Sequence, residues 1–219
     1  MQVIDNTVMI SPYYTVIEGD QKTDEWFKLR EGCIITGSNA KKVKGTGTAY
    51  LYELLARATT DREAEAEIHT KHIDRGVELE PVARKEYEKV TKTKVREVSF
   101  IQNARIGISP DGLVMKKDKV VKLLEIKCPD TPNHIRYILE NKVPAEHEDQ
   151  IIHGFITCPD VDEIDFISYD PKFLFKPLHI LTVKRSVYMV DITTTRIQYE
   201  KFINKFDEKH SQIKDLILK

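Results

Sequence analysis

Apolar and polar positions change rhythm along the chain. Toward both ends apolar residues recur three and four apart, as on helices packed along one face; the middle carries short apolar runs broken by turn residues, as in strands. Asp24 to Arg30 reads as a short helix with Asp24 as cap and Trp26 and Phe27 as anchors, and Thr36-Gly37-Ser38 opens a second short helix through Val43. A loop over VKGTGTAY leads to a helix from about Tyr50 to Ala58, and from Asp61 the chain is again strongly helical. Gly76 is expected to break that run. Pro81, tolerable only near a helix start, sets the next helix close to Val77, with Leu79, Val82, Ala83, Tyr87 and Val90 on one face.

After Thr91, VREVSFI, ARIGIS and VVKLLEIK read as three consecutive strands, with a tight turn at Ser109-Pro110-Asp111-Gly112 between the last two. Helices are expected around His134–Glu140 and Ala145–Cys158, strands at EIDFISYD and LHILTVKR, and a long amphipathic helix from about Thr194. This order predicts one mixed α/β (α+β) domain over residues 1–219, with a central mixed sheet flanked by helices. No internal repeat or low-complexity linker interrupts it.

Composition narrows the class more than the function. The 219 residues are enough for one substantial core, and 32% charged residues suit a soluble globular protein. No stretch approaches the roughly 18 apolar residues of a membrane span, so no membrane partner is expected. MQVIDNTVMISPYY has neither the basic region nor the cleavage site of a signal peptide. Cys33, Cys128 and Cys158 are odd in number and form no C-x-x-C pair, which argues against a zinc ribbon or a disulfide framework and for an intracellular, cytoplasmic setting. A net charge of −1 does not advertise nucleic acid, but phosphate affinity depends on where charges sit. Basic clusters occur at Lys41, Lys42 and Lys44, at Lys92, Lys94 and Arg96, and at Lys116, Lys117, Lys119 and Lys122. For each, a solvated face is the plain alternative.

The informative chemistry is Ser-Pro-Asp111-Gly followed by Leu-Glu125-Ile-Lys127-Cys-Pro. The spacing leaves room for a turn and an antiparallel return strand, which can bring Asp111 beside Glu125. Residues two apart on a strand share a face, so Lys127 joins them. Two carboxylates with the Ile126 backbone carbonyl suit a hard, oxygen-preferring ion such as Mg²⁺, with Mn²⁺ as a substitute. Such a metal polarises a phosphodiester and holds water, and Lys127 can orient or deprotonate that water if metal and burial lower its pKa. A D…E-x-K triplet can also be a surface salt bridge. Here Leu123, Leu124 and Ile126 make the strand look buried, and buried charges need partners.

Glu80, in GVELEPVA, can add a third carboxylate to the metal site or simply complement a helix dipole. Gln150, in HEDQIIHGF, can position water or phosphate, or be an exposed helix residue. Arg30, Ser38 and Ser109 combine a guanidinium with two hydroxyls near helix starts, which would make a pocket for a terminal phosphate; each serine alone could be a cap or turn residue.

The order of these motifs (EGDQKTDEWFKLREGCIITGS, RGVELEPVARKEYE, ISPDGL, LLEIKCP, HEDQIIHGF, then ISYDPKF and LHILTVKR) resembles the lambda-exonuclease-like, YqaJ-like viral recombinase family of PD-(D/E)XK nucleases over nearly the whole chain. The resemblance implies a restriction-endonuclease-like core. It implies Asp111 and Glu125 as metal ligands, Glu80 toward a second metal, Lys127 on the attacking water and Gln150 beside it. Arg30, Ser38 and Ser109 would receive the 5′-phosphate of a double-stranded DNA end, giving 5′-to-3′ direction. It further implies a homotrimer that threads DNA without ATP, in keeping with the lack of a P-loop, and 3′ overhangs passed to a single-strand annealing protein. The Ser38–Tyr50 segment is shorter than its family counterpart, so the duplex-splitting contacts stay unassigned there, and the chain lacks the four cysteines of iron–sulfur relatives. Two other functions fit the same residues: a structure-specific or restriction-type endonuclease, and a non-catalytic DNA-end-binding protein.

Overall fold

The computed structural model describes residues 7–8, 11–60 and 71–217, so the expected helical run from Asp61 lies, as far as residue 70, outside the described residues. In chain order the elements are β1 (Thr7–Val8), β2 (Thr15–Ile17), α1 (Asp24–Glu31), β3 (Ile35–Thr36), a 3₁₀ segment (Gly37–Val43), α2 (Thr48–Thr59) and α3 (Lys71–Thr91). Then follow β4 (Val95–Arg96), β5 (Phe100–Asn103), β6 (Ile106–Ile108), β7 (Gly112–Lys116) and β8 (Lys119–Lys127), followed by α4 (Thr131–Glu140), α5 (Ala145–Thr157), β9 (Glu163–Tyr169), β10 (Leu178–Lys184) and α6 (Met189–Ile217). The mixed α/β class holds, but the strands form two sheets of five, ordered β1-β2-β5-β6-β3 and β10-β9-β8-β7-β4. Each contains one parallel pair, β3 with β6 and β8 with β9; the other pairs are antiparallel.

The expected single strand VREVSFI is two strands in different sheets. Its start, β4, pairs with β7, and its end, β5, pairs with β2 and β6. Val98 and Ser99 are buried at the crossing, where the Ser99 N–H donates to the Ile17 carbonyl at 3.0 Å. The chain crosses back at Ser109–Gly112, so that turn joins two sheets. Beyond it lies β7, absent from the expected strands; it returns through Lys117-Asp118, with Lys117 left-handed at φ 55°, onto β8.

Gly76 does not break the helix: α3 runs through it and through Pro81. A glycine inside a helix costs about 1 kcal/mol. The turn before it is held from outside, because Arg75 donates to the Cys128 and Pro129 carbonyls at 3.1 Å each and to Asp170 at 2.7 Å. Pro81 removes an N–H where Val77 is exposed, so the freed carbonyl has access to water. The last helix starts at Met189, earlier than the expected Thr194.

Strand β8 is the central element, with α3 on one face and α5 on the other. Leu124 and Ile126 pack with Ala83 and Tyr87 of α3, while Leu123 packs with Leu113, Ile151, Phe155 and Phe166. Buried polar groups pin the layers. Asp165 accepts from Tyr87 Oη at 2.7 Å, Thr182 Oγ1 at 2.6 Å and Lys122 Nζ at 3.0 Å. His153, fully buried on α5, bonds the Gly107 carbonyl through Nε2 at 2.9 Å and the Tyr199 hydroxyl of α6 through Nδ1 at 3.0 Å. A carbonyl can only accept, so Nε2 carries the proton and Nδ1 accepts from Tyr199. None of the described helices is long and apolar enough to cross a membrane.

Candidate active site

Asp111 stands one residue before β7, in the turn that carries the chain between sheets. Gly112 pairs with Leu124, so Asp111 lies across from Glu125, and its N–H still reaches the Leu124 carbonyl at 3.1 Å. Its Oδ2 accepts from the Ile126 N–H at 2.5 Å and its carbonyl accepts from Arg84 Nε at 2.8 Å. Gly112 is required here: a Cβ would come within 2.3 Å of Val95 Cγ1. Gln21 braces the turn from outside, its amide donating to the Pro110 carbonyl at 3.0 Å and the Val98 carbonyl at 3.2 Å.

The strand period does what the spacing predicted. Glu125, 7% exposed, and Lys127 lie on the Leu123 side of β8, and Lys127 Nζ meets Glu125 Oε1 at 2.6 Å. Glu80 arrives from α3 beside the same turn and joins Asp111, Arg84, Lys22 and Glu97 around a cavity of about 180 Å³. Arg84 Nη2 holds the Glu80 carboxylate at 2.6 Å, and Nη1 holds Glu97 at 2.6 Å.

Crowded carboxylates leave an electrostatic imprint. Burial first, then the charges of Glu125 and Glu80, push Asp111 well above the usual carboxylate range. Burial also raises Glu80, against the pull of Arg84 and Lys22. For Lys127, burial and the neighbouring carboxylates pull in opposite directions. Burial alone would lower it, but Glu125, Asp111 and Glu80 together outweigh burial and hold it above its ordinary value, as an ammonium.

The donor set is oxygen only and carries excess negative charge, which fits a hard divalent cation. In the present arrangement Lys127 and Arg84 serve as counter-ions to Glu125 and Glu80. Among the described residues, no three His, Cys, Asp or Glu side chains are drawn together as a ready ligand set.

Gln150 lies half-buried on α5, three residues after His147 on the same helix. Burial, then the Lys127 charge, push the His147 imidazole below its ordinary value, which places it electrostatically next to the Glu125–Lys127 pair.

The three residues expected at a terminal phosphate also come together, around Trp26. Arg30 Nη2 donates to Ser38 Oγ at 2.8 Å, and its guanidinium lies 4.4 Å from the Trp26 ring centre. Trp26 Nε1 donates to Ser109 Oγ at 2.8 Å. Both serines therefore accept a hydrogen bond; Ser38 Oγ also lies 3.4 Å from Thr36 Oγ1, where either hydroxyl can be the donor. Ser38 is exposed, and Ser109 is two residues from Asp111.

Arg84, Gln21, His147 and the indole N–H of Trp26 were missed as site residues by sequence reasoning. Only the Arg84 spacing, four residues after Glu80 on one helix, carried a usable signal.

Residues 25–158 match the model of the YqaJ-like viral recombinase domain. The crystal structure of an alkaline exonuclease, LHK-Exo, from Laribacter hongkongensis is similar at 28% identity and a TM-score of 0.75, over 90% of this chain and 98% of that one. LHK-Exo in complex with dAMP is similar at 30% identity and a TM-score of 0.74, over the same shares. A phage-related exonuclease from Haemophilus somnus 129PT, 16% identical with a TM-score of 0.57 over 82% of this chain and 96% of that one, shares the fold. No curated protein matches the chain.

Proposed function

Since the chain belongs to the YqaJ-like viral recombinase domain family, we propose that it is a magnesium-dependent, ATP-independent exonuclease that digests one strand of linear duplex DNA from 5′ to 3′ and leaves 3′ overhangs. The observation that carries this reading is the pairing of two sites on one turn. A set of polar groups gathered around Trp26, Arg30, Ser38 and Ser109, ends two residues before Asp111 of the carboxylate cluster. The name and ligand of LHK-Exo, an alkaline exonuclease solved with dAMP, agree with it.

Asp111 and Glu125, with the Ile126 carbonyl, would hold Mg²⁺ or Mn²⁺, and Glu80 would approach a second ion. Bound there, the metal supplies Lewis-acid stabilisation of the phosphoryl charge. Lys127 would orient or deprotonate the attacking water, and Gln150 would offer an amide to help position it. Arg30 and the two hydroxyls bind the terminal phosphate as a dianion, which favours strand ends over internal positions. A homotrimer around the DNA and a single-strand annealing partner complete the proposal and rest on the family resemblance.

The test is a digest of end-labelled linear duplex, with and without a 5′-phosphate, beside a covalently closed circle. With Mg²⁺ the phosphorylated linear duplex is degraded, chelator stops the reaction and the circle survives. Cutting of the circle as readily as the linear duplex would replace the exonuclease reading by the endonuclease one. Arg30→Ala should lose the preference for phosphorylated ends, and Lys127→Ala should lose hydrolysis; an undiminished rate in Lys127→Ala would remove the chemistry assigned here.

A further inference from the structure

We propose that the loop joining β9 to β10, residues 170–177, is a platform for single-stranded DNA, with Phe175 stacking on an unpaired base and Lys172 and Lys176 holding the neighbouring phosphates; this rests on the nuclease reading above. Leu174 is 89% exposed and Phe175 90% exposed, the highest values among the large apolar side chains of the described residues. The base of the loop is firmly anchored. The buried Asp170 carboxylate accepts from Arg75 Nη2 at 2.7 Å, from Thr131 Oγ1 at 2.5 Å and from the Lys172 N–H at 3.2 Å. The Asp170 N–H donates to the Pro177 carbonyl at 2.9 Å, which closes the loop, and the Asp170 carbonyl accepts from the Phe173 N–H at 3.1 Å. Phe173 is half-buried, its ring centre 5.6 Å from that of His134, and Phe175 meets Phe173 at 5.8 Å with the rings inclined at 61°. Held in this way, Leu174 and Phe175 stand in water at the tip.

Location, charge and size select the occupant. β8 and β9 run parallel, and Lys127 pairs with Ser168, two residues before the loop begins. Arg75 adds a second tie, since it bonds the Cys128 and Pro129 carbonyls as well as Asp170. The loop therefore leaves the sheet at the end where Lys127 stands. Among the described residues neither Lys172 nor Lys176 has an acidic partner, while Asp170 is buried and paired with Arg75, so the exposed face of the loop is basic. Two apolar side chains are too few to seat a protein. A phenylalanine buries at most about 250 Å², whereas a stable protein interface takes about 800 Å² from each partner. An unpaired base needs only one aromatic face, and its phosphates need only nearby ammonium groups. Stacking of this kind selects bases that have left the duplex, because inside a duplex both faces of a base are covered by its neighbours.

Binding is measured by fluorescence anisotropy, with Ca²⁺ in place of Mg²⁺, on two labelled 5′-phosphorylated probes: a duplex with a forked, unpaired end and the same duplex with a blunt end. The proteins are the unmodified chain, Phe175→Ala, Phe175→Trp and a double variant carrying Lys172→Ala and Lys176→Ala. Phe175→Ala should weaken binding of the forked probe at least about fivefold and of the blunt probe less than about twofold. Phe175→Trp keeps a stacking face and should bind the forked probe within about twofold of the unmodified protein. The lysine variant should flatten the dependence of log Kd on log salt by about 1.4, as for two phosphates of a single strand. Unchanged binding of the forked probe by Phe175→Ala overturns the proposal, and so does an equal loss on both probes. A smaller assembly in light scattering of Phe175→Ala overturns it in favour of a contact between copies of this chain. Hydrolysis is scored separately with Mg²⁺: an unmodified protein that binds the fork through Phe175 but leaves linear duplex intact overturns the nuclease reading alone.

Discussion

His153 offers the most quantitative test of how the two sheets are joined. Its imidazole is fully buried between β6 and α6, and burial drops it from the ordinary 6.5 to about 4. At pH 8 the ring is neutral in both folded and unfolded chains. At pH 5 the unfolded chain binds a proton there that the folded chain rejects, so stability present above pH 6.5 is lost as pH falls toward 4. Between pH 8 and pH 5 this linkage amounts to about 2 kcal/mol. Other groups titrate in the same window, so the contribution is isolated by comparison with His153→Gln, which removes the titration and keeps an amide able to reach the Gly107 carbonyl. Urea unfolding at both pH values supplies the numbers. The unmodified protein should lose about 2 kcal/mol more than the variant over this range. Equal losses would refute the reasoning and mean that the ring is wet or charged in the native state. The ring supports the Ser38 and Ser109 region, since Gly107 is two residues from Ser109 and a Cβ on Gly37 would lie 3.8 Å from it.

Three further perturbations reach other parts of the framework. Arg84→Met removes the donors to the Asp111 carbonyl and to Glu80, and should reduce the initial rate of linear-duplex digestion about 10- to 100-fold; a rate within twofold of the unmodified protein would argue that the clamp is dispensable. Gly112→Ala forces a methyl against Val95 and should destabilise by about 1–3 kcal/mol in urea unfolding; an unchanged midpoint would show that β4 moves away and that the glycine is not required. Asp165→Asn weakens the bonds from Tyr87, Thr182 and Lys122, and should cost about 3 kcal/mol by the same measurement. That is the low end for a broken buried pair, because Lys122 keeps Glu163 at 3.2 Å; a loss under 1 kcal/mol would show that the network is solvated.

The grouping of Asp111, Glu125 and Lys127 was legible because a strand has period two. Glu125 and Lys127 had to share a face, and a return strand had to bring Asp111 across from Glu125. The grouping of Arg30, Ser38 and Ser109 was legible as residue types but not as an assembly, since nothing in the spacing ties Trp26 to Ser109, 83 positions apart. Sheet membership was not legible. In VREVSFI the apolar pattern is that of one strand, and only the tertiary pairing of Val95 with Val114 and of Ile101 with Ile108 divides it. The Gly76 break failed for a similar reason. Local propensity predicted an end to the helix, and Arg75 bridging to Cys128, Pro129 and Asp170 overrides it. That Glu80 adds to Glu125 and Asp111 in pushing Lys127 upward against burial was not legible either, because it appears only when α3 is laid beside β8.

On the proposed function, the turn from Ser109 to Gly112 would act as a ruler. An extended chain spans at most about 3.6 Å per residue, so the two steps from Ser109 to Asp111 cover no more than about 7 Å. On that reading, a strand end docked at the first residue would be cut within a short, fixed reach of it. Gln21 and Arg84 grip the turn from opposite sides, which keeps the gauge from stretching. Each cycle should therefore release fragments of one small, constant size, and a spread of longer oligonucleotides early in a digest would contradict it.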